Sequence, residues 1–410
     1  MRRSDFPLYL VSRFAASTAM TMLRAAVAWH VFDLSHSAFH LGLIGLVQFL
    51  PQLGLTFVAG AVADTYERRK VMLLSQSASL ACIVVLCVVT LRGTATLGLV
   101  YGVVALISSA SVFDAPARAA FLPSIVSRDF FPRAVTISST NQALAFVTGP
   151  ALCGLVIASA GIGATYAVYA VLAVVAAFGL LFIHPRPIAG ARSTISLHAV
   201  REGLRFVRHR QVLLGCMTLD MFAVIFGGAT ALLPIYANEI LRVGPKGYGL
   251  LSSSLELGAL ITAVILIFAP PIKRAGRALL IAVGVYGLAT IAFGLSRIFP
   301  LSVLVYMIAG AADQISVVMR HTAVQLSTPD ELRGRVSAVN FLFIGASNQL
   351  GAVEAGFVAA LTNATFAVVT GGIGCLVALA VVAAKLPELR HYRIDRVPDP
   401  ATEAEPIPAA

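Results

Sequence analysis

The residues able to do chemistry stand out because they interrupt otherwise apolar sequence. Arg13, Ser17, Thr21 and Arg24 fall in the first apolar segment at spacings of four, four and three, along one face of a helix. Further on, Asp220, Glu256, Asp313 and Glu354 each sit inside an apolar stretch. An ionisable group near mid-bilayer costs about 2.5–3.5 kcal/mol or more on insertion scales, so each needs a compensating role. Arg13 is close enough to the start of its segment to reach the interface, whereas Arg24 lies beyond the middle. An arginine facing one or two carboxylates is electrically tolerable. It is also a coupling device, because the approach and departure of the guanidinium changes how firmly a carboxylate holds its proton. The same four carboxylates suit plain ion pairs or inter-helix hydrogen bonds, and both uses stay open at this point.

Other chemistries find less support. His30, Asp33, His36 and His40 have the spacing of metal ligands, but a helix end and a turn fall between them, so no metal site is expected. Cys82, Cys87, Cys153, Cys216 and Cys375 all lie in apolar stretches without a C-x-x-C spacing and read as small hydrophobes. A close His/Asp/Ser constellation, the mark of a membrane-embedded enzyme, is missing. So is a G-x-x-x-x-G-K-[ST] loop, so ATP is not the direct energy source and no cofactor is expected. Asn141, Gln142, Asn340, Asn348 and Gln349 could line a path or bond neighbouring helices.

The elements that must position these residues follow from hydrophobicity. Of 410 residues, 58% are apolar and only 12% charged, about half the charged share of a soluble domain. A bilayer core of about 30 Å takes about 20 helical residues. Twelve segments satisfy this: 8–33, 39–62, 71–91, 97–117, 134–159, 163–183, 211–236, 248–269, 278–296, 300–320, 336–360 and 364–385. The basic start Met1-Arg2-Arg3 leads into a first membrane helix rather than a removed leader. The expected organisation is a six-helix bundle over 1–183, a central loop over 184–210, a second bundle over 211–386 and a disordered tail over 387–410.

Charge tests the count. With the N-terminus on the cytoplasmic side, 24 of the 30 Lys and Arg residues fall in cytoplasmic segments, with Arg320 counted among them. Only Arg92, Arg242, Lys246 and Arg297 fall on the other face. This asymmetry follows the positive-inside rule and accounts for the net charge of +11 without nucleic acid. The two halves also repeat. Arg118, Arg133, Gly149 and Gly154 recur as Arg320, Arg335, Gly351 and Gly356, each 202 residues later. Two parallel six-helix halves around a cavity are the architecture this predicts.

The connection between the second and third segments, Gly60-Ala-Val-Ala-Asp64-Thr-Tyr-Glu-Arg68-Arg69-Lys70, resembles the G-x-x-x-D-R-x-G-R-R/K signature of the major facilitator superfamily. Gly60, Asp64, Arg68 and Arg69 match; Thr65 and Glu67 depart from it. Glu67 makes the loop similar to the enterobactin-exporter and macrolide-efflux branch, the transmembrane secretion effectors. Asp114-Ala-Pro116-Ala-Arg118, Gly227 to Pro234, and Glu331-Leu-Arg333-Gly334-Arg335-Val336 extend the resemblance over nearly the whole chain. Gly149-Pro150-Ala-Leu-Cys-Gly154 resembles the helix 5 motif of drug antiporters, with Cys153 at a usual glycine position.

The resemblance implies an all-α membrane fold of two pseudo-symmetric six-helix bundles, with segments 1, 4, 7 and 10 lining a cavity. Arg24, Asp220 and Asp313 would then share that cavity. It also implies a gating latch in which Asp64 pairs with Arg118. The expected function is export of an amphipathic drug, macrolide or siderophore by proton antiport. The protein is expected to act as a monomer, with substrate, protons and membrane lipids as its partners. A lysophospholipid flippase or a metal exporter on the same fold is the alternative. A preference for Arg over Lys of 26 to 4 suggests a GC-rich bacterial genome and the inner membrane, with both termini cytoplasmic.

Overall fold

The computed structural model describes residues 5–127, 129–183 and 197–394, and every regular element among them is helical. Helices α1 (Asp5–Ser35), α2 (Ala38–Thr65), α3 (Arg68–Leu91) and α4 (Leu97–Ile125) are the first four segments. The fifth and sixth are fused in α5 (Phe131–Leu181), 51 residues long. At about 1.5 Å per residue that is more than twice a bilayer core. It turns back at Gly161, whose φ of 84° and ψ of 176° suit glycine alone.

The second half begins with α6 (Leu197–His209) and α7 (Gln211–Phe226). The seventh segment then breaks: a 3₁₀ turn over Gly228–Leu232, the short α8 (Leu233–Ile235) and a π turn over Tyr236–Ile240 complete it. Next come α9 (Gly244–Phe268), α10 (Ala275–Leu295), α11 (Phe299–Leu326), α12 (Asp330–Leu361), α13 (Ala364–Lys385) and α14 (Pro387–His391). Ten helical stretches among the described residues are long and apolar enough to cross a membrane. One of these is the doubled α5, and α1 with its internal charges is the remaining crossing, which gives twelve. Leu74, Phe268, Ile281 and Leu361 are exposed on the surface, where lipid replaces water as their solvent.

Two elements differ from expectation. The central loop contains α6, whose Val207 packs on Leu213, Met217, Val324, Val336 and Val339. The spacing Leu197, Val200, Leu204, Val207 already marks an apolar face that net polarity obscures. Residues 387–394, expected within the disordered tail, are ordered. Leu389 of α14 is buried, and the amide of Ile394 donates to the Lys273 carbonyl at 3.0 Å. Residues 395–410 lie outside the described part.

The 202-residue repeat appears as packing. A Cβ on Gly149 would lie 2.8 Å from the Thr18 carbonyl of α1, and one on Gly351 2.7 Å from the Val224 carbonyl of α7. Gly154 faces Gly249 of α9, and Gly356 faces Gly42 of α2. Each half thus uses its first glycine within itself and its second against the other half, where small residues let backbones meet. The cores follow the same division. One large apolar cluster, on the side away from the termini, draws on both halves, from Ala19 and Leu41 to Tyr248 and Val368. On the terminal side each half has its own, one around Tyr9 and Phe121 and the other around Leu219 and Leu279.

Candidate substrate cavity

The separation of the two terminal-side cores leaves a cavity of about 1150 Å³ between them. Arg13, Ser17, Thr21 and Arg24, the polar face of α1, all line it. Opposite and beside them stand Gln76, Asp114, Arg118 and Gln142, with Phe49, Phe146, Tyr169, Met221 and Phe343 as apolar wall. Away from the termini it is closed by the glycine contacts and by Tyr248. The Tyr248 hydroxyl donates to the Ala25 carbonyl at 3.0 Å, and its ring packs on Trp29 at 5.2 Å.

Local bonds fix the polar lining. Arg13 donates to the Tyr9 hydroxyl at 2.9 Å and to Gln142 of α5. Neighbouring Asn141 donates to the Leu10 carbonyl at 3.0 Å, so adjacent amides serve the two uses the sequence left undecided. Arg118 grips Asp114 one turn earlier through two hydrogen bonds, of 2.8 and 3.0 Å, and Gln76 reaches the same carboxylate at 3.5 Å. Arg24 is exposed to the cavity and, among the described residues, makes no hydrogen bond or ion pair.

The expected cluster of Arg24, Asp220 and Asp313 is not what forms. Asp220 is buried against Arg320 of α11, which joins it in an ion pair. Arg320 itself is 3% exposed and lies inside the helix, not in the loop where its charge had been counted. The carboxylate whose field reaches Arg24 is Glu256 of α9, and the field of Asp313 reaches Glu256 in turn. None of Asp220, Glu256, Asp313 and Glu354 lines the cavity; among the described residues the carboxylate that does is Asp114. The signal for Asp114 was its i, i+4 spacing to Arg118 within an apolar helix. Thr230, in the broken seventh segment, bonds the Tyr306 hydroxyl at 2.7 Å, and Tyr306 lies within the field of both Glu256 and Asp313.

For the gating loop, the side chain of Asp64 and the surroundings of Gly60 lie outside the described residues. Arg69 donates to the Leu181 carbonyl, tying the start of α3 to the end of α5. Lys70 and Glu67 form an exposed pair at 3.0 Å. Pro150 stays within α5, and its carbonyl lies 2.8 Å from where a Cβ on Gly249 would sit. His30 bonds the Tyr166 hydroxyl at 2.8 Å and His40 bonds that of Tyr101 at 2.9 Å. Among the described residues no three His, Cys, Asp or Glu side chains gather as metal ligands.

Twelve helices in two similar halves around one interior cavity define a major facilitator transporter, and solved structures agree on that fold. The chain is similar to the nucleoside transporter NupG, with a TM-score of 0.73 at 12% identity over 92% of this chain and 99% of that one. It is also similar to a bacterial homolog of the human lysosomal transporter Spinster, solved inward-facing and unoccupied. There the TM-score is 0.66 at 14% identity, over 95% and 96% of the two chains. Within that fold, the chain belongs to the transmembrane secretion effector family, which it matches over residues 1–405. Among curated proteins it is similar to the enterobactin exporter EntS of Escherichia coli strain K12, 24% identical over 95% of this chain and 93% of that protein. EntS of Citrobacter koseri is likewise 24% identical, over 98% and 96%.

Proposed function

We propose that this transporter exports a small amphipathic organic molecule of the drug, macrolide or siderophore kind. The carrying observation is a cavity of about 1150 Å³ on the terminal side, closed on the other side by glycine contacts. That volume is somewhat above the usual ~300–1,000 Å³ of small-molecule sites, and its wall mixes aromatic surface with a few fixed polar groups. The names of the EntS relatives support the export direction and the siderophore class.

In this reading the terminal face is cytoplasmic, as the distribution of Lys and Arg supports, and the membrane is the bacterial inner membrane. The bundles over 1–183 and 211–386 rock about the glycine seams, so the cavity alternates between the two faces. The protein works as a monomer among its lipids. Proton antiport supplies the energy, with Glu256 and Asp313 as carriers biased by Arg24. Asp220, held by Arg320, serves structure. Glu354, half-buried on α12, is a further candidate carrier.

The test is flux in proteoliposomes with an imposed pH gradient, using a macrolide and a catecholate siderophore in turn. Asp313→Asn and Glu256→Gln are expected to abolish gradient-driven flux while substrate exchange at equal pH persists. Flux indifferent to the gradient in the native protein would reject the coupling. Deletion of the gene, followed by identification of the compound retained in cells, decides the substrate.

A further inference from the structure

The charges lining the cavity do not balance. Among the described residues, Arg13, Arg24 and Arg118 contribute three guanidinium groups and Asp114 one carboxylate. Arg118 and Asp114 satisfy each other through their paired hydrogen bonds. The bonds of Arg13 go to neutral atoms, the Tyr9 hydroxyl and the Gln142 amide oxygen, and its Nε is buried without a partner. Among the described residues Arg24 has no direct partner; Glu256 acts on it only through its field and lies outside the lining. Two arginines facing a space inside a membrane protein are costly unless a counter-charge arrives.

Their placement gives the counter-charge a shape. Eleven residues separate Arg13 from Arg24, three helical turns on nearly the same face and about 16 Å along the axis. Ser17 and Thr21 lie between them and Phe49, Phe146, Tyr169 and Phe343 across from them. We infer that the Arg13–Arg24 face of α1 is a binding site for an amphipathic organic anion. Arg24 anchors the anionic group in the deep part of the cavity, Arg13 receives it nearer the terminal face, and the aromatic wall holds the apolar body. Guanidinium groups suit carboxylate, sulfonate and phosphate alike. The site therefore defines anionic amphiphiles, whether soluble or a lipid with an anionic headgroup. This deepens the export reading and rests on it.

The experiment measures equilibrium binding to the detergent-purified full chain. Taurocholate is the soluble anionic probe, rhodamine 6G the cationic one, and lysophosphatidylglycerol and lysophosphatidylcholine the lipid pair. Taurocholate is expected to bind at least tenfold more tightly than rhodamine 6G. Arg24→Gln and Arg13→Gln should each weaken it about tenfold or more, and Arg24→Lys by only a few fold. Arg24→Glu should reverse the preference toward rhodamine 6G, which also shows that the variant is folded. Competition by lysophosphatidylglycerol but not lysophosphatidylcholine assigns the lipid source; competition by neither leaves the soluble one. Taurocholate binding unchanged in both glutamine variants, equal or tighter binding of the cation, or no anion binding would overturn the site. Gradient-driven flux of rhodamine 6G alongside such a result would leave the exporter reading standing without it.

Discussion

Arg320 on α11 is buried and ion-paired with Asp220 on α7, whereas its repeat counterpart Arg118, 202 residues earlier, is ion-paired with Asp114 on its own helix. The positions exchange roles: Thr18 stands where the first half would have the Asp220 equivalent, and Ser316 where the second would have Asp114. Each half keeps one arginine neutralised by one carboxylate but takes the carboxylate from a different helix. In the first half the pair borders the cavity with side chains 16% and 18% exposed; in the second it is sealed at 3% and 7%.

That difference sets the cost of breaking each pair. Removing one partner of a buried pair strands the other charge and costs about 3–5 kcal/mol, whereas removing both together costs much less. Asp220→Asn is therefore expected to lower the unfolding temperature in detergent sharply, and Asp220→Asn with Arg320→Met to recover most of the loss. A thermal scan of the two variants decides it. A single variant as stable as the native chain would show that the pair does not hold α7 to α11.

The pairing of Arg118 with Asp114 can be weighed directly. In a double-mutant cycle on stability, Arg118→Gln with Asp114→Asn should show a coupling of about 0.5–3 kcal/mol. No measurable coupling between Arg118 and Asp114 would show that the pair seen here does not hold Arg118.

The twelve crossings were legible because hydrophobicity and charge asymmetry are local properties that read residue by residue. So was the polar face of α1, since helical spacing alone puts Arg13, Ser17, Thr21 and Arg24 in a row. What could not be read was which helix a charge meets across the bundle. Asp220 and Arg320 are 100 residues apart, and no periodicity links them. Arg320 also sat at an expected helix end, where a basic residue reads as a loop anchor, until α11 extended to Leu326. The glycine repeat was visible as a pattern, but its division into contacts within a half and between halves depends on how the two bundles meet.

The glycine seams carry their own prediction. A Cβ on Gly356 would lie 2.3 Å from the Gly42 Cα, in backbone that cannot yield as a flexible side chain can. Gly356→Val should force α2 and α12 apart and open the side away from the termini. Cys153 lies fully buried in the core shared by the two halves, which makes it a natural reporter. With the other four cysteines replaced by alanine, maleimide labelling of Cys153 should rise several-fold in Gly356→Val as transport falls. Labelling as slow as in the native protein would mean that the seam does not hold this side closed.

The docked tail is the last element with a measurable role. Leu389 is fully buried, with side-chain atoms placed 3.0 and 3.5 Å from where a Cβ on Gly215 would lie. Its carbonyl would lie only 1.7 Å from a Cβ on Gly276, so α14 presses directly on the start of α10. Tyr392 adds a bond between its carbonyl and the Gly276 amide at 3.2 Å, and its hydroxyl lies 3.2 Å from Ser327 at the end of α11. Leu389→Ala leaves a cavity at this junction and is expected to cost about 2–5 kcal/mol. Gly276→Ala reaches the same junction from the other side and should release α14 without touching the cavity. Both variants should speed hydrogen exchange at Ile394 and the start of α10 while leaving substrate affinity unchanged. Exchange equal to the native rate at those amides would show that α14 rests on the bundle without bracing it.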